Sequence, residues 1–146
     1  MKQRDKVTMT EPEAAEFLAS GRKVQLATNG PGGFPHLVTM YYVLTDGLIT
    51  FWTYKASQKA RNLERDPRIS CLVETGAAYF DLRGVLVQGT VRRIDDPAAV
   101  ADIGRRVAAA LAAPAAYVEH AARKRYGYVV EPSRIISWDH AKLLMS

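Results

Sequence analysis

The sequence predicts a mainly β domain: an antiparallel sheet closing toward a small barrel, with helices flanking it. Three observations point there. Turn signals at Asn29-Gly30-Pro31-Gly32-Gly33 and Asp46-Gly47 separate successive extended segments. Alternating or β-branched runs recur from Lys23 to Trp138, and helical patterns are confined to a few capped stretches between them. Neighbours joined by short turns pair antiparallel, since parallel neighbours need long crossovers, so a parallel crossover sheet is disfavoured.

The elements follow in order. Thr10 caps a first helix, with Glu13 in the capping-box position and Phe17 and Leu18 on its inner face; Gly21 stops it. Lys23 to Thr28 alternates as a half-buried strand, Pro35 to Val43 resumes extended structure, and Leu48 to Tyr54 has the β-branched and aromatic content of a third strand. The short turns between them predict a three-strand meander. Ser57 caps a helix through Gln58–Arg65 that Asp66-Pro67 ends. Arg68 to Glu74 reads as a strand, and Phe80 to Ile94 contains a long extended segment with Val85, Val87 and Val91 on one face and bends or bulges at Gly84 and Gly89. Asp96-Pro97 opens a second long helix, whose inward stripe is Val100, Ile103, Val107 and Leu111. Pro114 interrupts it, and a shorter helical piece continues through Tyr117 and His120. Tyr126–Glu131 and Arg134–Trp138 complete the strands, with Pro132 as a bend or edge residue. A barrel would bury this sheet and remove its exposed edges.

A chain of 146 residues, 48% of them hydrophobic, has enough material for one substantial core, and no repeat or linker divides it; residues 1–146 are read as a single domain. No apolar run reaches the roughly 18 residues of a membrane span, and the first residues do not resemble a signal peptide, so a cytoplasmic location without membrane attachment is the expectation. Cys71 sits in the apolar run Ile69–Val73 and reads as a small buried hydrophobe. His36, His120 and His140 lack metal-ligand spacing, and no metal site is expected. The net charge of +5 favours acidic partners without choosing among them. Its distribution is more informative. Lys55, Lys59, Arg61, Arg65 and Arg68 cluster around one short helix, without the stacking or groove-reading elements of a nucleic-acid binder, which makes nucleic acid an unexpected partner. A second group, Arg123-Lys124-Arg125, lies far downstream and could join the first only through folding.

The chemistry concentrates in Phe51–Asn62, which joins a strand end, the hydroxyls of Thr53 and Ser57, an uncovered helix start and three cations. First-turn amides point toward the helix N-terminus, where a phosphate can accept hydrogen bonds while Lys55 and Lys59 offset its charge. Spacing alone leaves two readings open: an anion site, or a capped surface helix with solubilising charge. Gly30-Pro31-Gly32-Gly33 lacks the Lys-Ser/Thr of a phosphate loop and runs into a strand, so it reads as a hairpin turn.

The ordered set of Gly33–Val38, Phe51-Trp52-Thr53, Ser57–Leu63, Arg65–Ser70, Arg83–Val91 and Ile136-Ser137-Trp138-Asp139 resembles the split β-barrel superfamily of pyridoxamine 5'-phosphate oxidase and the flavin- or deazaflavin-dependent oxidoreductases. This resemblance, over nearly the whole chain, implies an FMN-binding type of split barrel forming a homodimer, with the cofactor ring at the interface. It implies that Lys59 contacts the cofactor phosphate, that Thr53 and Ser57 donate hydroxyls near it, and that Lys55 and Arg61 receive acidic tails. It also places Thr39, Met40 and Tyr41 near the ring and ribityl chain. Arg61-Asn62-Leu63, the set Lys55, Lys59 and Arg61, and the Trp138–Lys142 ending resemble the actinobacterial deazaflavin branch. The implied activity is hydride transfer from reduced coenzyme F420 to a conjugated or otherwise activated small-molecule acceptor. The alternatives are an FMN-dependent oxidoreductase and a noncatalytic flavin, haem or nucleic-acid binding module. Pyridoxamine phosphate oxidation itself is disfavoured, because those oxidases have a longer chain and a substrate-phosphate constellation near its end.

Further residues have competing readings. His36 reads as a turn or strand-start hydrogen bonder ahead of a ring or substrate contact. Tyr41, Tyr42, Tyr54, Trp52 and Tyr79 divide between an aromatic pocket and the core or dimer contact, and Trp138 is a candidate pocket wall. Asp81 and Arg83 share one strand face, where a structural ion pair competes with a substrate role. No proton donor is assigned.

Overall fold

The computed structural model describes residues 2–145. Helices α1 (Gln3–Val7) and α2 (Glu11–Ser20) precede strands β1 (Lys23–Asn29), β2 (Pro35–Tyr41), β3 (Val43–Thr45) and β4 (Leu48–Tyr54). Helix α3 (Gln58–Arg65) leads to β5 (Arg68–Thr75) and β6 (Arg83–Ile94). Helices α4 (Pro97–Leu111) and α5 (Ala115–Ala122) then precede β7 (Arg125–Asp139). Among the described residues no helix is long and apolar enough to cross a membrane.

The strands form one antiparallel sheet in the order β2-β1-β5-β6-β7-β4-β3. Its two edge strands, β2 and β3, are separated in sequence by Tyr42 alone. Laid flat, seven strands would hold their edges about 29 Å apart, whereas one residue spans only about 3.3 Å. The chain can satisfy both only if the sheet curls until its edges meet. Tyr42 fixes that corner: it is buried, its N–H donates to Arg22 O and its hydroxyl to Leu18 O.

This corner corrects the expected meander. Pro35–Val43 is not one strand; it breaks at Tyr42, and β1–β2 and β3–β4 are separate hairpins on opposite edges. The Asp46-Gly47 signal is realised, both residues having positive φ as a tight hairpin turn requires. The long extended segment expected within Phe80–Ile94 is β6, which begins at Arg83 after a single 3-10 turn at Tyr79–Asp81.

Inward residues of the barrel, among them Val24, Leu26, Phe51, Val85 and Tyr128, form the main core, with the Phe51 and Tyr128 rings stacked at 5.2 Å between centroids. Phe17 and Leu18 of α2 and Ala60 and Leu63 of α3 join this core. Thr10 and Glu13 exchange the two capping-box hydrogen bonds, and Lys142 Nζ lies 2.7 Å from the same carboxylate. That lysine bond, followed by the Thr10 bonds, holds the Glu13 pKa down at about 2. Cys71 is buried in the core as expected, and burial pushes its thiol pKa up to about 12.

A second cluster covers part of the outward face. Trp52 meets Val100, Ile103 and Val107 of α4 and Val118 of α5, the ring resting on Gly104, where any side chain would collide with it. The expected stripe therefore holds for its first three residues, while Leu111 remains 43% exposed.

Of the two glycines expected to bend β6, Gly89 does so. Gln88 pairs with Arg134 and Gly89 with Pro132, leaving Ser133 as the extra residue of a bulge. At Gly84 the register continues unbroken, and the missing side chain instead admits the Trp138 indole. At Gly89 a methyl group would press on the Glu131 carbonyl and the Pro132 backbone, neither of which can rotate away. We therefore expect Gly89→Ala to destabilise the protein by about 2 kcal/mol or more in chemical denaturation, a cost characteristic of overpacking.

Candidate functional site

The sheet curls but does not zip. Among the described residues, β3 pairs with β4 as far as Thr50 and no further, and β2 pairs only with β1. The rest of β4 and the free edge of β2 flank an open seam. A cleft of about 340 Å³ fills it, with Thr39, Met40 and Tyr41 on one side and Trp52, Thr53 and Tyr54 on the other. Lys59 of α3 and Arg125 of β7 supply its charge, and Val107 and Leu111 of α4 an apolar wall. Backbone polar groups without strand partners, two cations and aromatic side chains thus converge on one concavity. This combination can take a flat, partly apolar molecule bearing an anionic group.

Helix α3 is built to present its N-terminus here. Ser57 Oγ accepts from Ala60 N at 3.1 Å as the cap, and Thr53 Oγ1 lies 3.4 Å from it. The Ser57 oxygen serves the helix, so its own proton is what it offers a ligand. The other end is clasped to β1 by Asn62, which is fully buried. Its Nδ2 donates to Thr28 Oγ1 at 3.0 Å, and its Oδ1 accepts from Gln58 Nε2 and Arg65, each at 2.8 Å.

The first turn of α3 contains Lys59 and no acid, the reverse of what the helix dipole favours, whereas α2 carries Glu11 and Glu13 there. Lys59 is half-buried, and that burial lowers its pKa. Among the described residues no carboxylate lies within 4.0 Å of Lys55, Lys59, Arg61, Arg123, Lys124 or Arg125.

Of the eight residues singled out in the sequence, Thr39, Met40, Tyr41, Thr53 and Lys59 share this cleft. Lys55 and Ser57 line an adjoining depression of about 580 Å³ with Arg123 and Lys124; Tyr54 borders both cavities. The two distant basic groups therefore do meet, held by the Lys55 N–H bond to Lys124 O at 2.8 Å and the Tyr54–Arg125 strand pair. The Lys55 ammonium lies 5.3 Å from the Tyr126 ring centroid. Arg61, two residues beyond Lys59 and thus about 200° around the helix, is exposed and lines neither cavity.

Arg125 was visible in the sequence only as the end of a basic triplet; its strand position, outward beside Trp52, is what brings it into the cleft. The apolar wall from α4 was missed because Leu111 reads as part of a buried stripe. Trp138 lies on Gly84 and Tyr79 packs against Phe80 and His140, both outside this cleft. Asp81 does not pair with Arg83, whose guanidinium faces Asp139 at 3.7 Å and the Phe17 ring. His36 turns inward, with Nδ1 buried and lacking a hydrogen-bond partner among the described residues, so that atom does not make the expected turn bond.

An antiparallel curled half-barrel with flanking helices defines a split-barrel class of protein. The family pattern described as pyridoxamine 5'-phosphate oxidase matches residues 10–139, and the chain belongs to that family. Among solved structures it is similar to the conserved hypothetical protein Rv2991 of Mycobacterium tuberculosis, with 40% identity, a TM-score of 0.91 and coverage of 100% of this chain and 94% of that one. A structure named F420 reductase has 21% identity and a TM-score of 0.70 over 82% of this chain and 93% of that one. HutZ, a haem storage protein of Vibrio cholerae, has 16% identity and a TM-score of 0.69 over 87% and 94%. These last two share the fold. No curated protein matches the chain.

Replacing Asn62 with alanine leaves Thr28, Gln58 and Arg65 without their shared partner. We expect a loss of about 1 to 3 kcal/mol in urea unfolding, the usual cost of leaving a buried polar group, here the Thr28 hydroxyl, without its partner.

Proposed function

We propose that this chain is a homodimeric oxidoreductase that binds coenzyme F420 in the seam and delivers hydride to a conjugated or otherwise activated small molecule. The observation that carries the reading is the continuity of uncompensated positive charge from the Lys59–Arg125 cleft, past Tyr54, into the Lys55–Arg123–Lys124 depression. A terminal phosphate would need only the first part. A phosphodiester that continues into an acidic tail uses both, which favours F420 over FMN.

When bound, the deazaflavin supplies the hydride chemistry, so no protein nucleophile is required. The chain's task is to bind, orient and exclude water. Lys59, the Ser57 hydroxyl and the first-turn amides of α3 receive the phosphate; Thr39, Met40 and Tyr41, with the unpaired edge of β2, lie alongside the ring system. Val107 and Leu111 keep that side of the cleft apolar. Such a frame contributes by holding reacting atoms near roughly 3 to 3.5 Å, where transfer becomes effectively unimolecular.

Partner and site are connected in this reading. Helices α4 and α5 pack mainly on β3, β4 and β7, while the outward ladder Thr39–Gln25–Leu72–Leu86 runs across the neighbouring strands β2, β1, β5 and β6. Leu37, 66% exposed, and Tyr41, 43% exposed, border it on the edge strand. A second copy covering this face would bury them and reach the mouth of the cleft beside Thr39 and Tyr41.

Side-by-side titration of F420 and FMN tests the assignment. F420 should bind more tightly, and its reduced form should be oxidised when a quinone or unsaturated lactone is added; tight FMN binding without F420 binding overturns it. Lys59→Ala should weaken F420 binding by about 1 to 3 kcal/mol through loss of a charge-assisted contact while leaving the fold intact. In solution the mass should be that of a dimer, and a fully active monomer would refute the shared site.

A further inference from the structure

Arg125 is only 8% exposed, yet it lines a solvent-filled cleft. Its guanidinium lies over two aromatic rings, 4.8 Å from the Trp52 ring centroid and 3.9 Å from that of Tyr54. One N–H donates to Ala121 O at 2.9 Å, in the last turn of α5. A guanidinium has five N–H donors, all in its plane, so its remaining donors are reached at its edge. None of its nitrogens is both fully enclosed and unpartnered, so the spare donors open to the cleft that also contains Lys59.

A purely structural role, clasping the end of α5, accounts for one donor. It does not account for a second, largely buried cation in the same cleft as Lys59 with no carboxylate among the described residues within 4.0 Å. We infer that Arg125 is an anion ligand of the cleft and that, because the same guanidinium holds the last turn of α5, phosphate binding tightens the docking of α4 and α5 on the sheet. The inference rests on the cleft taking a phosphorylated ligand, as proposed above, and extends it to a residue and a coupling. An anion at the guanidinium edge fixes the plane over Trp52 and Tyr54, which holds the donor aimed at Ala121. Trp52 is also the surface on which Gly104 of α4 rests. Ligand and helices thus bias one shared element, the physical requirement for coupling.

The test compares ligands with and without the phosphate. Arg125→Met should weaken F420 or FMN binding about 10- to 100-fold, a charge-assisted bidentate contact, but leave riboflavin and the phosphate-free deazaflavin nearly unaffected. Equal loss for both kinds of chromophore, or no loss, overturns the assignment and leaves Arg125 as a clasp for α5 alone. If Arg125→Met fails to fold, Arg125→Lys, which retains the charge without the planar fork, is read by the same differential. Hydrogen exchange supplies the second readout: amides of α4 and α5 should slow when wild-type protein is saturated with the phosphorylated ligand, and less so in the variant at equal saturation. Unchanged exchange in the wild type refutes the coupling. Inorganic pyrophosphate, followed by Trp52 fluorescence in a Trp138→Phe background, separates this proposal from the cofactor reading. If neither F420 nor FMN binds but pyrophosphate does so in an Arg125-dependent way, the anion site stands and the cofactor assignment falls. No response to pyrophosphate by the wild type overturns the anion site.

Discussion

One covalent constraint organises the molecule: a single residue, Tyr42, joins the two edge strands of a seven-stranded sheet. Because so short a link cannot cross a flat sheet, closure is imposed by connectivity rather than left to side-chain preference. The same constraint leaves the barrel split. Three residues of β3 pair with the start of β4, and past Thr50 that strand has no partner on the β2 side among the described residues. An unpaired edge is ordinarily a liability, either covered or charged. Here it is flanked by Lys59 and Arg125 and walled by α4, so the feature that would promote aggregation in an open sheet becomes the floor of a cleft.

The charges in this seam run against local stability. Helix α3 carries a lysine in its first turn, at the positive pole of its dipole, and Arg125 is largely buried with no carboxylate among the described residues within 4.0 Å. Elsewhere the chain follows the ordinary rules: α2 has a complete capping box, α4 starts with Asp96 and proline, and Asp66 pairs with Arg68 at 2.7 Å. A local violation amid general compliance is the pattern expected at a functional site, where an anionic ligand supplies the missing compensation.

The sequence made local features legible wherever one residue decides them. The caps at Thr10, Ser57 and Asp96 and the Asp46-Gly47 turn formed at the expected positions, because each depends on a few neighbouring backbone groups. Pairing was not legible in the same way. Nothing in Pro35–Val43 distinguishes a continuous strand from one that turns a corner at Tyr42; that is decided by Arg22 and Leu18, which accept its two hydrogen bonds. The cleft divides along the same line. Lys59 and Thr53 stand out within one short segment, whereas Arg125 acquires its place only through the register that sets it opposite Tyr54. Leu111 continues the helical spacing of a buried stripe, but it falls beyond the sheet surface that buries Val107 and so ends as cleft wall instead of core.

Strand β4 ties these levels together. Its alternation sends Phe51 and Thr53 inward and Trp52 outward, so three consecutive residues belong to the barrel core, the outer helical cluster and the cleft. Close-packed interiors transmit displacement rather than absorb it. A ligand seated against Trp52 and Thr53 therefore bears on both cores at once, and the rigidity of each contributes to the precision with which the seam holds it. The outer cluster is the more adjustable of the two. It is built largely from alanine and valine on two helices, which meet at Ala112, a non-glycine residue with φ of 54°, and at Pro114. Adaptation to different ligands would thus be expressed first in α4 and α5, the elements that Val107, Leu111 and Arg125 connect to the cleft.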